Sequence, residues 1–358
     1  MLRGVVRPSS SSVLLASAAA IVAGLAGCGS QAAEDLPPAA EPPRAAPLTA
    51  EPAGRVTEIG KRPEGIVADA GSGLVAVALR RPAKLVVVRA RTGEVVDRVS
   101  LPGAPRHLQL ADPRSPQARV LVPDEDDDTV TQVALGGRYD GVDVPVGRIV
   151  ARTKVGRQPH DATPLGRTGE IAVGAELGNL LQVVKGDRVV RERRIALQPG
   201  GLASIDGGRI IVVVAVKERV IELYDARTLE RLAREPAGVG PTHVVCRDEG
   251  ICYVADTTGK GLLVYTWEDG ELTLRHRQYL PSQPYGIALD EKRYRLWVTL
   301  PAQNRLVEIR ARTKSRTGRT FPTVHQPQTV AVDESNGDVF VTGATDGVLQ
   351  TIDPDTDE

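Results

Sequence analysis

Aromatic residues are scarce in this sequence. They make up 3% of 358 residues, with two tryptophans and two phenylalanines, which argues against a cofactor held between stacked rings. Cysteine is nearly as rare. Three residues are too few for a disulfide scaffold or a Cys-rich zinc site, and no Cys-x-x-Cys-His is present for haem attachment. Charge of one sign is not in excess: 45 basic residues balance 45 acidic ones. A nucleic-acid partner, which needs a basic stripe, is therefore not expected. Catalytic signatures are missing too: no Gly-x-Ser-x-Gly elbow, no phosphate loop, no His-Glu-x-x-His and no Cys-x-x-Cys. What the chain does have is turn-forming residues, 36 glycines and 26 prolines, the mark of many short elements.

Long apolar runs are absent but for residues 13–26, fourteen residues behind Arg3 and Arg7. That is too short to span a bilayer comfortably and reads as a targeting segment. It ends in Leu25-Ala26-Gly27-Cys28, which resembles the bacterial lipobox. The resemblance implies that residues 1–27 are a signal peptide, cut away so that Cys28 carries a lipid. An exported protein, lipid-anchored to the bacterial cell envelope, is expected. Residues 28–53 are Ala/Pro-rich, with prolines at 37, 38, 42, 43, 47 and 52. Such composition favours extended polyproline conformations and reads as a tether with no role beyond spacing.

The rest is repetitive. Prolines recur at 63, 105, 159, 199, 241, 284 and 327, roughly every forty residues, each followed by a β-branched run such as Pro327-Gln328-Thr329-Val330-Ala331-Val332. A polar turn, a second strand (Leu74-Val75-Ala76-Val77), a third (Leu85-Val86-Val87-Val88) and a recurring turn (Asp225-Ala226-Arg227-Thr228, Arg310-Ala311-Arg312-Thr313) follow. A more polar fourth strand closes the unit. The second unit is longer because of an insertion around residues 136–141 between its third and fourth strands. Four short antiparallel strands per forty residues is the period of a propeller blade. The pattern resembles the YVTN-type, YncE-like family of seven-bladed β-propellers over residues 54–353, with Tyr253-Val254-Ala255-Asp256 nearest its signature. An all-β fold with four-stranded antiparallel blades is implied, followed by an acidic tail at 354–358. The last blade lacks a fourth strand. Residues 55–59 are expected to supply it, joining the two ends of the domain and removing an open edge.

In such a propeller the residues beside the seven prolines ring the mouth of the central channel. Arg62, Glu64, Arg106, His107, Arg157, His160, His243, Gln283, Tyr285 and Gln326 are the candidates for a ligand site, and four of five histidines (His325 included) lie at or near it. Arg and His donors suit a small anionic or carbonyl-bearing ligand; the same histidines could instead brace neighbouring blades. The loop Pro123-Asp124-Glu125-Asp126-Asp127-Asp128-Thr129 clusters carboxylates. Asp124, Asp126 and Asp128 are weak candidates for Ca²⁺, against an ordinary solvated loop, and no other cofactor is expected beyond a weak prospect of Ca²⁺ or Mg²⁺. Cys246 and Cys252 sit on adjacent strands where the next unit has Leu289 and Leu296. They form either a cross-strand disulfide, as export permits, or two buried thiols.

Two functions remain open. One is a non-enzymatic, monomeric binding or protein-interaction scaffold displayed at a membrane. The other is a propeller hydrolase or lyase of the lactonase kind, using Glu64, Arg106, His107, His160 and His243 with a divalent cation. The second requires at least three of these to converge.

Overall fold

Short strands predominate because the chain interrupts its β-branched runs with glycine and polar turns every few residues. The computed structural model describes residues 1, 2, 4, 36–112, 115, 117–139, 141–166 and 168–356. The targeting segment and Cys28 lie outside the described residues. Contacts divide the chain into Met1–Pro37 and Pro38–Glu358. The few described residues of the first unit have no regular structure.

The second unit holds seven sheets, each of four antiparallel strands. Blade one, for example, runs Pro63–Asp69, Leu74–Arg80, Ala83–Arg89 and Val95–Ser100, in that order from the channel outward. Blades two to six repeat it from the prolines at 105, 159, 199, 241 and 284. Blade seven takes three strands, Pro327–Val332, Val339–Gly343 and Val348–Ile352, from the C-terminal end. Its fourth is Arg55–Glu58, paired antiparallel from Arg55↔Thr351 to Glu58↔Val348. The expected closure is thus in place. Ile59 follows it fully buried, packed with Val75, Phe340 and Leu349 at the seam between blades seven and one. The insertion of blade two lengthens a hairpin rather than forming a loop, with strands Thr129–Tyr139 and Val142–Lys154.

The core explains the composition. Each blade is covered on both faces by its neighbours, so second strands are apolar at nearly every position. Ile210–Ala215 is buried throughout, and the fourth strand of the same blade, Arg231–Pro236, alternates toward solvent. Val, Leu, Ile and Ala fill the seams, as between blades four and five, where Val212, Val214, Val254 and Leu263 meet. Few aromatics are needed because sheets pack flat against sheets.

One device recurs at the blade junctions. Asp128, Asn179 and Asn304 end their second-to-third-strand turns with positive φ. Their side-chain oxygens accept the backbone N–H of Gln158, Gln198 and Gln326, the residues just before the next blade's proline, each at 3.0 Å. Asn and Asp tolerate that left-handed backbone better than most residues and hydrogen-bond locally.

The Ala/Pro-rich stretch departs from expectation. From Pro38 it belongs to the propeller unit, not to a free spacer. Gln326 donates to Pro43 O (2.9 Å) and accepts from Ala45 N (2.8 Å), while Asn304 donates to Ala46 O (2.7 Å). Ala46 N donates to Ala302 O (3.1 Å) and Ala53 N to Pro322 O (3.0 Å). An extended, proline-fixed backbone cannot satisfy its own polar groups; here the side chains and loops of blades six and seven do so. Farther toward the N-terminus Ala39 packs on the core of blades four and five, and a Cβ on Gly240 would come within 3.1 Å of that of Ala40. Residues 38–53 therefore form a strap across one face. The acidic tail is not free either, since Asp355 pairs with Arg295 at 3.2 Å.

Candidate functional site

After most of the repeat prolines the strand pairing shifts, at 63/66, 159/161, 199/201, 241/244 and 327/330. Such bulges re-aim side chains. In blades three and five they accompany His160 and His243; His107 of blade two follows the isolated bridge between Pro105 and Asp124. With Tyr285 of blade six these form a row of rings across the channel. Centroids are 4.6 Å apart for His160–His107, 4.5 Å for His107–His243 and 4.6 Å for His243–Tyr285. Nε2 of His243 and Nε2 of His107 share a hydrogen bond of 3.0 Å, so one carries the proton and the other accepts. Burial holds all three imidazoles neutral. His243 is lowered to about 4 by burial and then by the Arg106 charge; His107 and His160 are pushed well down, again mainly by burial. Burial also raises the Tyr285 phenol.

On the strap side of the rings lies an ion network. Arg106 meets Glu64 (2.8 Å) and Glu125 (2.9 Å), Arg80 meets Glu125 (2.7 Å), and Nδ1 of His160 bonds to Glu176 (2.5 Å). The two arginines face three carboxylates, and the strap adds a fourth. The Glu41 carboxyl is raised by partial burial, opposed by Arg106 and reinforced by Glu64, Glu176 and Glu125. Glu176 is likewise raised by burial against the pull of Arg106 and Arg80. Glu125, His160 and Glu176 bring donor atoms within 4.8 Å of one another, the one group of metal-ligand type among the described residues. Two guanidinium groups already neutralise Glu125, so a cation there must displace them.

On the other side of the rings the channel opens into a cavity of about 430 Å³, lined by residues from all seven blades. Its walls include Ile66, Leu108, Leu202, Val244, Ile287 and Val330. It runs from His107 and His243 to Glu291 and Glu334, which follow the first strands of blades six and seven. Asp161, in the wall, is raised by burial to about 6 and accepts from Leu202 N (2.9 Å), Ala162 N (2.8 Å) and Gln109 (3.0 Å).

The structure therefore brings together Glu64, Arg106, His107, His160, His243 and Tyr285. Arg62 and Arg157 are exposed on the rim. Arg62, like Gln158 beside Arg157, adopts a positive φ just before a repeat proline. Gln326 is engaged with the strap, and Gln283 stays on the loop before Pro284, half-buried, outside the network. The three aspartates expected as weak cation ligands do not converge. Asp124 is fully buried and accepts from Thr131 at 2.6 Å, Asp126 is exposed, and Asp128 holds Gln158 N. Cys246 and Cys252 are directly paired across their strands and joined by a disulfide, in the register of Leu289 and Leu296.

Sequence reading missed Arg80, Glu125, Glu176 and Glu41. The first three occupy one structural position. Pro63, Pro105 and Pro159 oppose Leu79, Asp124 and Ala175, and the missed residues are the next along. In blades four, five and seven that position holds Val216, Thr257 and Ala344. Aligning it across the repeats would have found a polar half-ring on blades one to three.

No protein-family profile and no curated protein matches the chain. Solved propellers do. The Kuenenia stuttgartiensis hydrazine synthase aligns at TM-score 0.65 and 14% identity, covering 81% of this chain and 95% of that one. A streptogramin B lyase aligns at 0.66 and 13%, covering 84% and 99%. The Myceliophteria thermophila Cps50 (Swd1) β-propeller domain aligns at 0.67 and 12%, covering 83% and 99%. At such identities the likeness is one of fold, and the fold serves these proteins for different ends.

Proposed function

We propose that this chain is an extracytoplasmic, lipid-anchored propeller of the YVTN type that binds a ligand in its central channel. The observation that carries the reading is the contrast between the two ends of that channel. On the strap side both arginines are already paired with Glu64 and Glu125, and a segment of the chain lies across it. On the other side a drug-sized, largely apolar cavity with a few polar groups is the usual form of a binding site. The arginines expected to receive an anion are committed to Glu64 and Glu125, so the ligand is placed below the ring row, not above it. The lipobox-like Leu25-Ala26-Gly27-Cys28 and the Cys246–Cys252 disulfide support export to an oxidising compartment.

Fluorescence titration of the purified full-length chain with uncharged N-phenyl-naphthylamine tests the site. Saturable binding of one probe per chain is expected, lost when Ala203→Phe fills the wall while the melting profile is kept. No binding, or equal binding by the variant, rejects the reading. Palmitate labelling in a bacterial host, abolished by Cys28→Ser, tests the anchor.

A second reading, a cation-dependent hydrolase or lyase, draws on the convergence of Glu64, Arg106 and three histidines and on the Glu125–His160–Glu176 group. It requires turnover of a lactone panel with Mg²⁺ or Ca²⁺ that Glu176→Gln abolishes.

A further inference from the structure

We propose that the turn between the third and fourth strands of blade six, with Tyr294 beside it, is a docking surface for an acidic segment of another protein. The proposal stands apart from the channel reading, since it uses the rim of the ring and not the cavity.

Positive charge is concentrated there in a chain that is neutral overall. Strands Arg305–Arg310 and Thr317–Pro322 are joined by a turn that gathers Arg310, Arg312, Lys314 and Arg316 within seven residues, and no acidic residue occurs between Glu308 and Asp333. All four cations are exposed, while Ala311 and Ser315 between them are buried. None of the four takes part in an ion pair among the described residues. Glu308 and Asp355 are held instead by Arg295 and Arg319. The corresponding turn of blade one carries its own acid, with Arg89 paired to Glu94 at 3.4 Å. The turn of blade six is also held in shape. Arg310 N donates to Arg316 O at 2.9 Å, and Gln278 of blade five meets Thr317 Oγ1 at 2.6 Å. Like charges kept side by side repel one another, and an acidic partner relieves that cost.

Tyr294 is an independent observation. Its carbonyl accepts Ala311 N at 2.8 Å, the bond that Gly73 and Gly250 make with Ala90 N and Trp267 N in blades one and five. All three residues have positive φ, 56° for Tyr294 against 67° and 96° for the glycines. Glycine meets that conformation without strain and a bulky side chain does not. Burial does not offset the strain, since Tyr294 is 46% exposed. Arg247 lies over its ring at 4.3 Å and Arg312 at 5.5 Å. Strain of this kind gathers at functional sites. Tyrosine and arginine are the side chains that carry most binding energy at protein interfaces, and arginine clusters read acidic motifs. Tyr294 closes the turn that also holds Glu291 of the cavity lining, so a partner docked here stands beside the open mouth of the channel.

The experiment is fluorescence anisotropy of fluorescein-labelled octa-glutamate with the full-length chain at low ionic strength. Saturable binding that weakens as salt is added is expected. Arg312→Gln/Lys314→Gln/Arg316→Gln is expected to weaken it at least about tenfold, as three exposed charge contacts provide together. Arg89→Gln/Arg91→Gln on blade one is expected to leave it unchanged. Tyr294→Gly is expected to weaken it severalfold without lowering the melting temperature, because glycine suits the backbone there. A ring that serves structure alone gives the reverse, a lower melting temperature with the same binding. That reverse, no binding at all, or an equal loss from the blade-one variant overturns the proposal. Oligothymidylate or phosphatidylglycerol vesicles bound as tightly as octa-glutamate, or more tightly, overturn it in favour of a nucleic acid or a lipid surface.

Discussion

Arg106 is the side chain on which the ion network turns, and Arg106→Met removes its charge while keeping an apolar stem. Its side chain is 21% exposed, against 15% for Glu64 and 7% for Glu125. Breaking a fully buried pair costs about 3–5 kcal/mol. Here Glu125 keeps Arg80 and the arginine is partly solvated, so a loss of about 2 kcal/mol is expected, roughly a 4–8 °C drop in melting temperature. The loss must depend on a partner. Glu64→Gln in the Arg106→Met background is expected to recover about half of it in a double-variant cycle. It must also depend on pH. Arg106 holds Glu41 and Glu176 down against burial; without it both carboxyls rise further. A carboxyl raised in the folded state costs stability above its titration range and stops costing it once protonated. The deficit is therefore expected to shrink as pH falls from about 7 to about 5, by thermal unfolding followed with circular dichroism. A deficit that is constant across this range, together with additive Glu64→Gln and Arg106→Met effects, would show that the arginine acts only through its packed stem.

Asp124 is raised by burial to about 7, so the folded chain holds its proton and loses stability as pH rises from about 4 toward 7. Asp124→Asn is expected to match the parent at about pH 4 and to melt higher above about pH 7; a constant difference refutes the assignment. Ile59→Ala empties a fully buried position at the closing seam and is expected to cost about 2–4 kcal/mol in urea unfolding, whereas Val56→Ala on the exposed side of the same strand should cost little. Reduction, or Cys246→Ala/Cys252→Ala, opens a loop with a sequence separation of 6 and is expected to cost about 2 kcal/mol on the loop-entropy relation, read as a fall in urea midpoint that a reductant reproduces in the parent only.

The architecture was legible because each blade carries its own mark. A proline, a β-branched run and a turn recur with too little variation for another fold, and the missing last strand pointed to residues 55–59. The Cys246–Cys252 pairing could be read by laying one blade over the next. The site was legible only in part, because it depends on register and on the third dimension of the ring. A bulge decides whether the first or second residue after a proline joins the row of rings, as with His160 after Pro159 and His243 after Pro241. A left-handed residue before the proline sends Arg62 outward although it stands one position from a site-facing strand. Glu125 lay in plain view within an acidic loop, yet only the opposition of Pro105 and Asp124 singles it out from its four aspartate neighbours. Composition made the strap invisible, since an Ala/Pro-rich stretch reads the same whether it hangs free or finds Gln326 and Asn304 to hold its backbone.

The closing strand also sets a timetable. Arg55 and Thr351 meet across a sequence separation of 296, so one of the first strands to leave the ribosome pairs with one of the last. Until then blade seven has three strands and the ring has a gap. Contacts so distant in sequence make folding slow. The ring can shut only after Val348–Ile352 has been made and is free to meet Arg55–Glu58. A chain cut short before Val348–Ile352 would leave two unpaired edges, each a template for pairing with another copy. Five residues, Val348–Ile352, thus decide whether the ring can shut at all.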